Sequence, residues 1–211
     1  MGKILNFFLE AYKETPTGLI VLEAVAFVFG IASVVYAKRA NILVYPTGLI
    51  ATAITVYLLY KAQYFGDMML NFYYSIMSIY GWYNWAKKKN KPELPITRTN
   101  AKEKKTGVLF FLLTMLVTFG VYKFFGYPLK IPNYIDIVTS GIFFTAMWYM
   151  ALKKLENWTL WIIGDVITVP LYAYRGLGML SLQYLIFTVL AVQGYLAWKR
   201  ILNNNPAISS K

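Results

Sequence analysis

Apolar residues fall in seven long runs, at 17–37, 42–62, 67–86, 106–126, 133–152, 157–174 and 179–198. Each has roughly the 17–25 residues that a helix needs to cross about 30 Å of hydrocarbon. A chain of 211 residues cannot hide seven such helices behind its own polar shell. The pattern therefore predicts an all-α membrane protein with seven transmembrane helices.

The first sixteen residues differ. Ile4, Leu5, Phe8, Leu9 and Tyr12 recur at helical spacing among Lys3, Glu10, Lys13 and Glu14. That is the pattern of a short amphipathic helix lying on a membrane surface. No small-residue cleavage site follows it, so it does not read as a signal peptide.

Charge placement sets the expected orientation. Fifteen of the 21 basic residues fall on one side: Lys38, Arg39, eight in 87–105, Lys153, Lys154, Lys199, Arg200 and Lys211. Lys3, Lys13, Lys61, Lys123, Lys130 and Arg175 fall on the other. Basic loops favour the cytoplasmic side, which puts the C-terminus inside and the N-terminus outside. The segment 87–105 has Pro92 and Pro95 and no apolar period, and reads as a solvated linker facing anionic headgroups. Topology explains these charges, so the net charge of +12 is not taken as a sign of nucleic-acid binding.

The chain resembles itself at long period. Gly81 and Trp85 recur as Gly194 and Trp198, and the interval between Glu23 and Asp136 is the same. Asn41 and Gly48 recur as Asn157 and Gly164 at a slightly longer interval, a difference placed in the turn between the second and third helices. The repeat sets helices 1–3 over helices 5–7, with helix 4 as a linker. Four spans separate the halves, so they point the same way, as a parallel repeat about the membrane normal. The segments are then 1–16 (amphipathic), 17–86 (first bundle), 87–132 (basic loop and linker helix), 133–198 (second bundle) and 199–211 (tail).

Composition narrows the chemistry. Hydrophobic residues make up 58% and charged residues 14%, and the mean hydropathy is +0.49. Cysteine and histidine are both absent. Disulfides, thiolate metal sites, cysteine nucleophiles and Ser-His-Asp chemistry are excluded. No Gly-rich phosphate loop appears, and the carboxylates lack paired ligand spacing, so neither metal nor cofactor is expected.

The densest polar cluster lies in the sixth helix, with Glu156, Asn157, Trp158, Trp161, Asp165, Thr168, Pro170 and Tyr172. Trp158, Trp161, Asp165 and Thr168 share one face. A mid-span carboxylate is costly in lipid and should face protein or water. Two indoles on that face can sandwich a flat ring and hold a cation. An interfacial aromatic belt is the competing reading, and it suits Trp158 better than Trp161. Pro170 removes a ladder hydrogen bond, giving either a flexing point or a plain structural kink.

A second polar stripe runs through Asn71, Tyr74, Ser75 and Ser78 of the third helix. Gln183 and Tyr184 begin another in the seventh, with Gln193 near its end. These side chains either bridge helices, at about 0.6 kcal/mol each, or touch a polar solute.

The runs NWTLWIIGDVITVPLYAYRGL, LQYLIF and GYLAW resemble the second half of PnuC-type vitamin transporters, and NFYYSIMSIYGWYNW resembles their third helix. The resemblance implies a seven-helix 3+1+3 arrangement similar to SWEET proteins, assembled as a homotrimer. It implies facilitated diffusion of nicotinamide riboside, with phosphorylation trapping the vitamin inside. It makes Trp158 and Trp161 the family's tryptophan pair at the substrate, with Asn157 before them. The family's nicotinamide riboside carriers often begin the third-helix stripe with glutamine, and this chain has Asn71, so thiamine stays open.

The expectation is a membrane transporter and not an enzyme, moving a ring-bearing vitamin free of phosphate between helices 2, 3, 6 and 7. The expected substrate contacts are Trp158, Trp161, Asp165, Asn157, Asn71, Tyr74, Ser75, Gln183 and Tyr184. An intramembrane transferase and a non-transporting scaffold are the rival classes.

Overall fold

The computed structural model describes residues 15–61, 65–86, 94–126, 129–174 and 178–204, the side chains of 65–67 excepted. The amphipathic segment, the first part of the basic loop and the end of the tail lie outside the described residues.

Seven helices appear among them, labelled here α1 (Thr17–Lys38), α2 (Val44–Lys61), α3 (Phe65–Trp85), α4 (Ala101–Phe124), α5 (Ile131–Ala151), α6 (Glu156–Tyr174) and α7 (Gly178–Asn204). They match the seven apolar runs in order. α4 starts ahead of its run because Asn100 and Glu103 form a capping box that carries the helix into its charged first turn. α1, α4 and α7 are long and apolar enough to cross a membrane. The other four are more polar, carrying tyrosine, serine, threonine, asparagine and aspartate among their apolar residues.

The outer surfaces are apolar. Val28, Met69, Leu116, Val117 and Phe124 are all well exposed. A soluble protein does not present such continuous patches, and lipid removes their cost.

α1 packs on α2 and α2 on α3; α5 packs on α6 and α6 on α7. The two groups join along two seams, α1 against α7 and α3 against α5, and α4 lies against α5. α5 touches three helices and is the most extensively buried.

The turns entering α2 and α6 repeat each other bond for bond, at the interval that separates Trp85 from Trp198. Asn41 N–H donates to Tyr36 O at 3.0 Å and Ala40 N–H to Ala37 O at 2.9 Å. Lys154 N–H donates to Tyr149 O and Lys153 N–H to Met150 O, both at 2.9 Å. Each is a Schellman end, and its left-handed residue, Ala40 or Lys153, has φ of 51°. This corrects the register read from the sequence. Asn41 matches Lys154 rather than Asn157, and Tyr45 matches Trp158, so no change of interval is needed before α3.

The basic segment also differs from a fully solvated linker. Residues 94–100 run extended along the α5–α6 turn. Thr97 N–H donates to Lys153 O at 3.1 Å, and Leu155 N–H donates to Thr97 O at 2.9 Å. Thr99 N–H donates to a Glu156 carboxylate oxygen at 2.9 Å, and Lys154 pairs with Glu103 at 2.7 Å. Ile96 is buried in the core with Trp85, Leu155 and Trp198. One isolated isoleucine gives no periodic signal, so a strap of this kind is invisible to pattern reading.

Candidate functional site

The common face of α6 turns inward as its spacing requires. Trp158 and Asp165 are each 2% exposed, Thr168 is buried and Trp161 is half-buried. Thr168 donates to Gly164 O at 2.7 Å within the helix. Thr168 thereby meets its own hydrogen-bonding need, and Asp165 remains the carboxylate on that face. α6 runs unbroken through Pro170.

Around Trp161 the structure gathers rings from four helices. Trp161 stacks on Phe143 of α5 with centroids at 5.4 Å, and Tyr74 of α3 lies 6.2 Å away. Phe143 reaches Tyr184 of α7 at 6.0 Å, and Tyr184 meets Tyr172 of α6 at 5.3 Å. A Cβ on Gly164 would run into the Phe143 ring, so this glycine is what lets α6 approach α5.

Three of the expected residues, Tyr74, Trp161 and Tyr184, thus belong to one aromatic string, with Asp165 one turn along from Trp161. Helix 2 was expected to complete this group; α5 does so through Phe143. Phe143 was missed because a phenylalanine inside an apolar helix carries no sequence signal. Asn71 and Gln183 are half-buried, each on the same helix as one of the string's tyrosines.

The other expected residues, and Gln193 of the seventh-helix stripe, lie elsewhere. Ser75 Oγ shares a 2.8 Å hydrogen bond with Thr52 Oγ1, which joins α2 to α3, and it also donates to Asn71 O. Gln193 accepts from Lys38 Nζ at 2.8 Å, which ties α7 to α1. Asn157 is fully buried at the start of α6, and its amide donates to Lys154 O. Trp158 sits in a separate layer at the basic end. It meets Trp198 edge-on at 5.6 Å, and a Cβ on Gly194 would strike its ring. Tyr45 and Trp85 complete that layer, their rings 5.1 Å apart.

The arrangement offers stacking faces, one buried carboxylate and phenolic hydroxyls. Among the described residues no group of three acidic side chains gathers to hold a metal. The string suits a flat, positively charged ring bearing hydroxyls.

A family model described as nicotinamide mononucleotide transporter matches residues 20–200. The nicotinamide riboside transporter PnuC of Escherichia coli is 26% identical over 202 residues, covering 84% of each chain. That of Neisseria mucosa is 29% identical over 196 residues, covering 87% of this chain and 74% of the relative. The crystal structure of the vitamin B3 transporter PnuC shares the fold, with a TM-score of 0.70 and 24% identity, over 95% of this chain and 90% of that one.

Proposed function

We propose that this chain, which belongs to the nicotinamide mononucleotide transporter family, carries nicotinamide riboside, without a phosphate, across the inner membrane of a bacterium. The observation that carries this reading is the aromatic string around Trp161 with Asp165 beside it. A pyridinium ring stacks on indole and phenyl faces, and a buried carboxylate offsets its charge. The family description names the mononucleotide, and the relatives' names give the riboside. The riboside fits better here: a phosphate group would bring more than one negative charge next to Asp165, and the string, Asn71 and Gln183 contain no basic side chain.

In this reading Trp161, Tyr74, Tyr184 and Asp165 touch the vitamin, and Asn71 and Gln183 reach its hydroxyls and amide. Trp158 and Asn157 form the wall at the basic end, and Ser75 holds α2 against α3. All seven helices cross the membrane with the basic end in the cytoplasm, so the C-terminus is inside and the N-terminus outside. The bundles are a 3+1+3 parallel repeat. The two Schellman turns and the two seams, each related by the same interval, support it. Movement is facilitated diffusion by alternating access, with capture by phosphorylation inside, and the assembly is a homotrimer.

A titration of the purified protein tests the substrate. Nicotinamide riboside binds, and its mononucleotide binds at least tenfold more weakly. Sealed liposomes take up labelled riboside without ATP, and take up more with a kinase enclosed. Thiamine binding without riboside binding overturns the substrate and retains the transporter. Absence of any vitamin uptake overturns both.

A further inference from the structure

The two seams are closed by different chemistry at the basic end. On the α1–α7 side, Trp198 Nε1–H donates to Ala37 O at 3.0 Å, fully buried, and Lys38 donates to Gln193 nearby. On the α3–α5 side, Trp85 stands at the equivalent position of the first repeat. Its Nε1–H is buried and has no acceptor among the described residues. Its ring is covered instead by the Lys153 ammonium, 4.4 Å from the centroid.

Lys153 is an unusual residue for that task. It is 7% exposed and lies in the left-handed region at φ 51°. Its backbone carbonyl accepts from Thr97, so the strap at 94–100 is fastened to the same residue that covers Trp85. Ala40 shares that conformation at the matching turn, so what sets Lys153 apart is its buried ammonium on Trp85 and its bond to the strap. Two neighbouring rings also carry buried polar atoms without partners among the described residues: Tyr45 Oη beside Trp85, and Trp158 Nε1 beside Trp198. Buried donors left unpaired cost free energy that water restores on opening. Trp198 has met that need internally, and among the described residues Trp85 has not.

We propose that the α3–α5 seam is the one that parts at the basic end during transport, that the α1–α7 seam stays shut as the fixed side, and that Lys153 with the 94–100 strap is the latch. The proposal rests on the transport reading above, and its test needs no substrate, so the two fail separately.

The chain has no cysteine, so paired introduced cysteines are the sole labelling sites. Nitroxide labels at Tyr83→Cys with Leu152→Cys report the α3–α5 seam. Labels at Arg39→Cys with Lys199→Cys report the α1–α7 seam. Distances are measured on the full chain in lipid nanodiscs without vitamin. Lys153→Met raises the ratio of long to short distances across the first pair about tenfold, as loss of a desolvated cation–π contact should. Thr97→Pro, which removes the strap's donor to Lys153, moves the same ratio about threefold in the same direction. The second pair stays at its wild-type distance in both variants. Equal lengthening of the second pair overturns the proposal. So does a wild-type distance across the first pair in either folded variant.

Discussion

Trp85 of α3 and Trp198 of α7 meet with ring centroids 6.0 Å apart at the basic end of the bundle. Each comes from a helix that packs on the one before it, and each leans on an aromatic ring from the start of that preceding helix. Trp85 leans on Tyr45 and Trp198 on Trp158. Gly81 and Gly194, one turn earlier, make room for those rings. The pair brings α3 and α7 together at that end.

That geometry separates the two tryptophans of α6. Trp161→Ala should weaken nicotinamide riboside binding more than tenfold by calorimetric titration, about 1.4 kcal/mol or more, while the protein remains folded. Trp158→Ala should act chiefly on stability, with a loss of about 3–5 kcal/mol and a lower unfolding temperature in detergent. Unchanged affinity in Trp161→Ala removes that residue from the site.

Asp165 should matter through its charge. Asp165→Asn keeps the shape and removes the negative charge, so a cationic riboside should bind about tenfold more weakly. A neutral, reduced nicotinamide riboside should bind equally well to both proteins. Equal loss for the two ligands would show that Asp165 acts as a hydrogen-bond acceptor instead.

The glycines of the tryptophan layer should tolerate no side chain. Gly194→Ala should cost about 1–3 kcal/mol by forcing Trp158 out of place, and Gly81→Ala should do the same to Tyr45. Gly18→Ala and Gly120→Ala meet nothing within 4 Å and should be neutral or gain up to about 1 kcal/mol. Thermal unfolding of the four variants side by side tests the contrast.

The left-handed turn residues should respond differently to glycine. Ala40→Gly should gain about 1 kcal/mol, because glycine adopts that φ without steric cost. Lys153→Gly relieves the same strain and also removes the cation over Trp85, so its gain should be smaller or reversed. Equal gains in thermal unfolding would show that Lys153 adds nothing beyond its backbone.

Much of the helical plan was legible from residues alone. Seven apolar runs became seven helices, because hydrocarbon demands length and apolarity and both are local properties. The inward face of α6 followed from the spacing of Trp158, Trp161, Asp165 and Thr168. A repeat was legible, as an expectation, in Gly81, Trp85, Gly194 and Trp198. Its register before α3 was not, since Asn41 and Asn157 are alike by identity and not by position. The partners of those residues were not legible. Phe143 beside Trp161, Thr52 on Ser75 and Lys38 on Gln193 join different helices, and no spacing encodes them.

By itself the sequence determined the helices, their apolar surfaces and the kinds of side chain turned inward, for each depends on neighbours within a few turns. Tertiary structure alone decided that Trp161 lies in a ring string through α5 while Trp158 closes the basic end. It alone decided that Ile96 pins a strap to the α5–α6 turn, and that Trp198 has an acceptor where Trp85 has a lysine. Those outcomes depend on how whole helices cross, and many distant contacts set the crossing jointly.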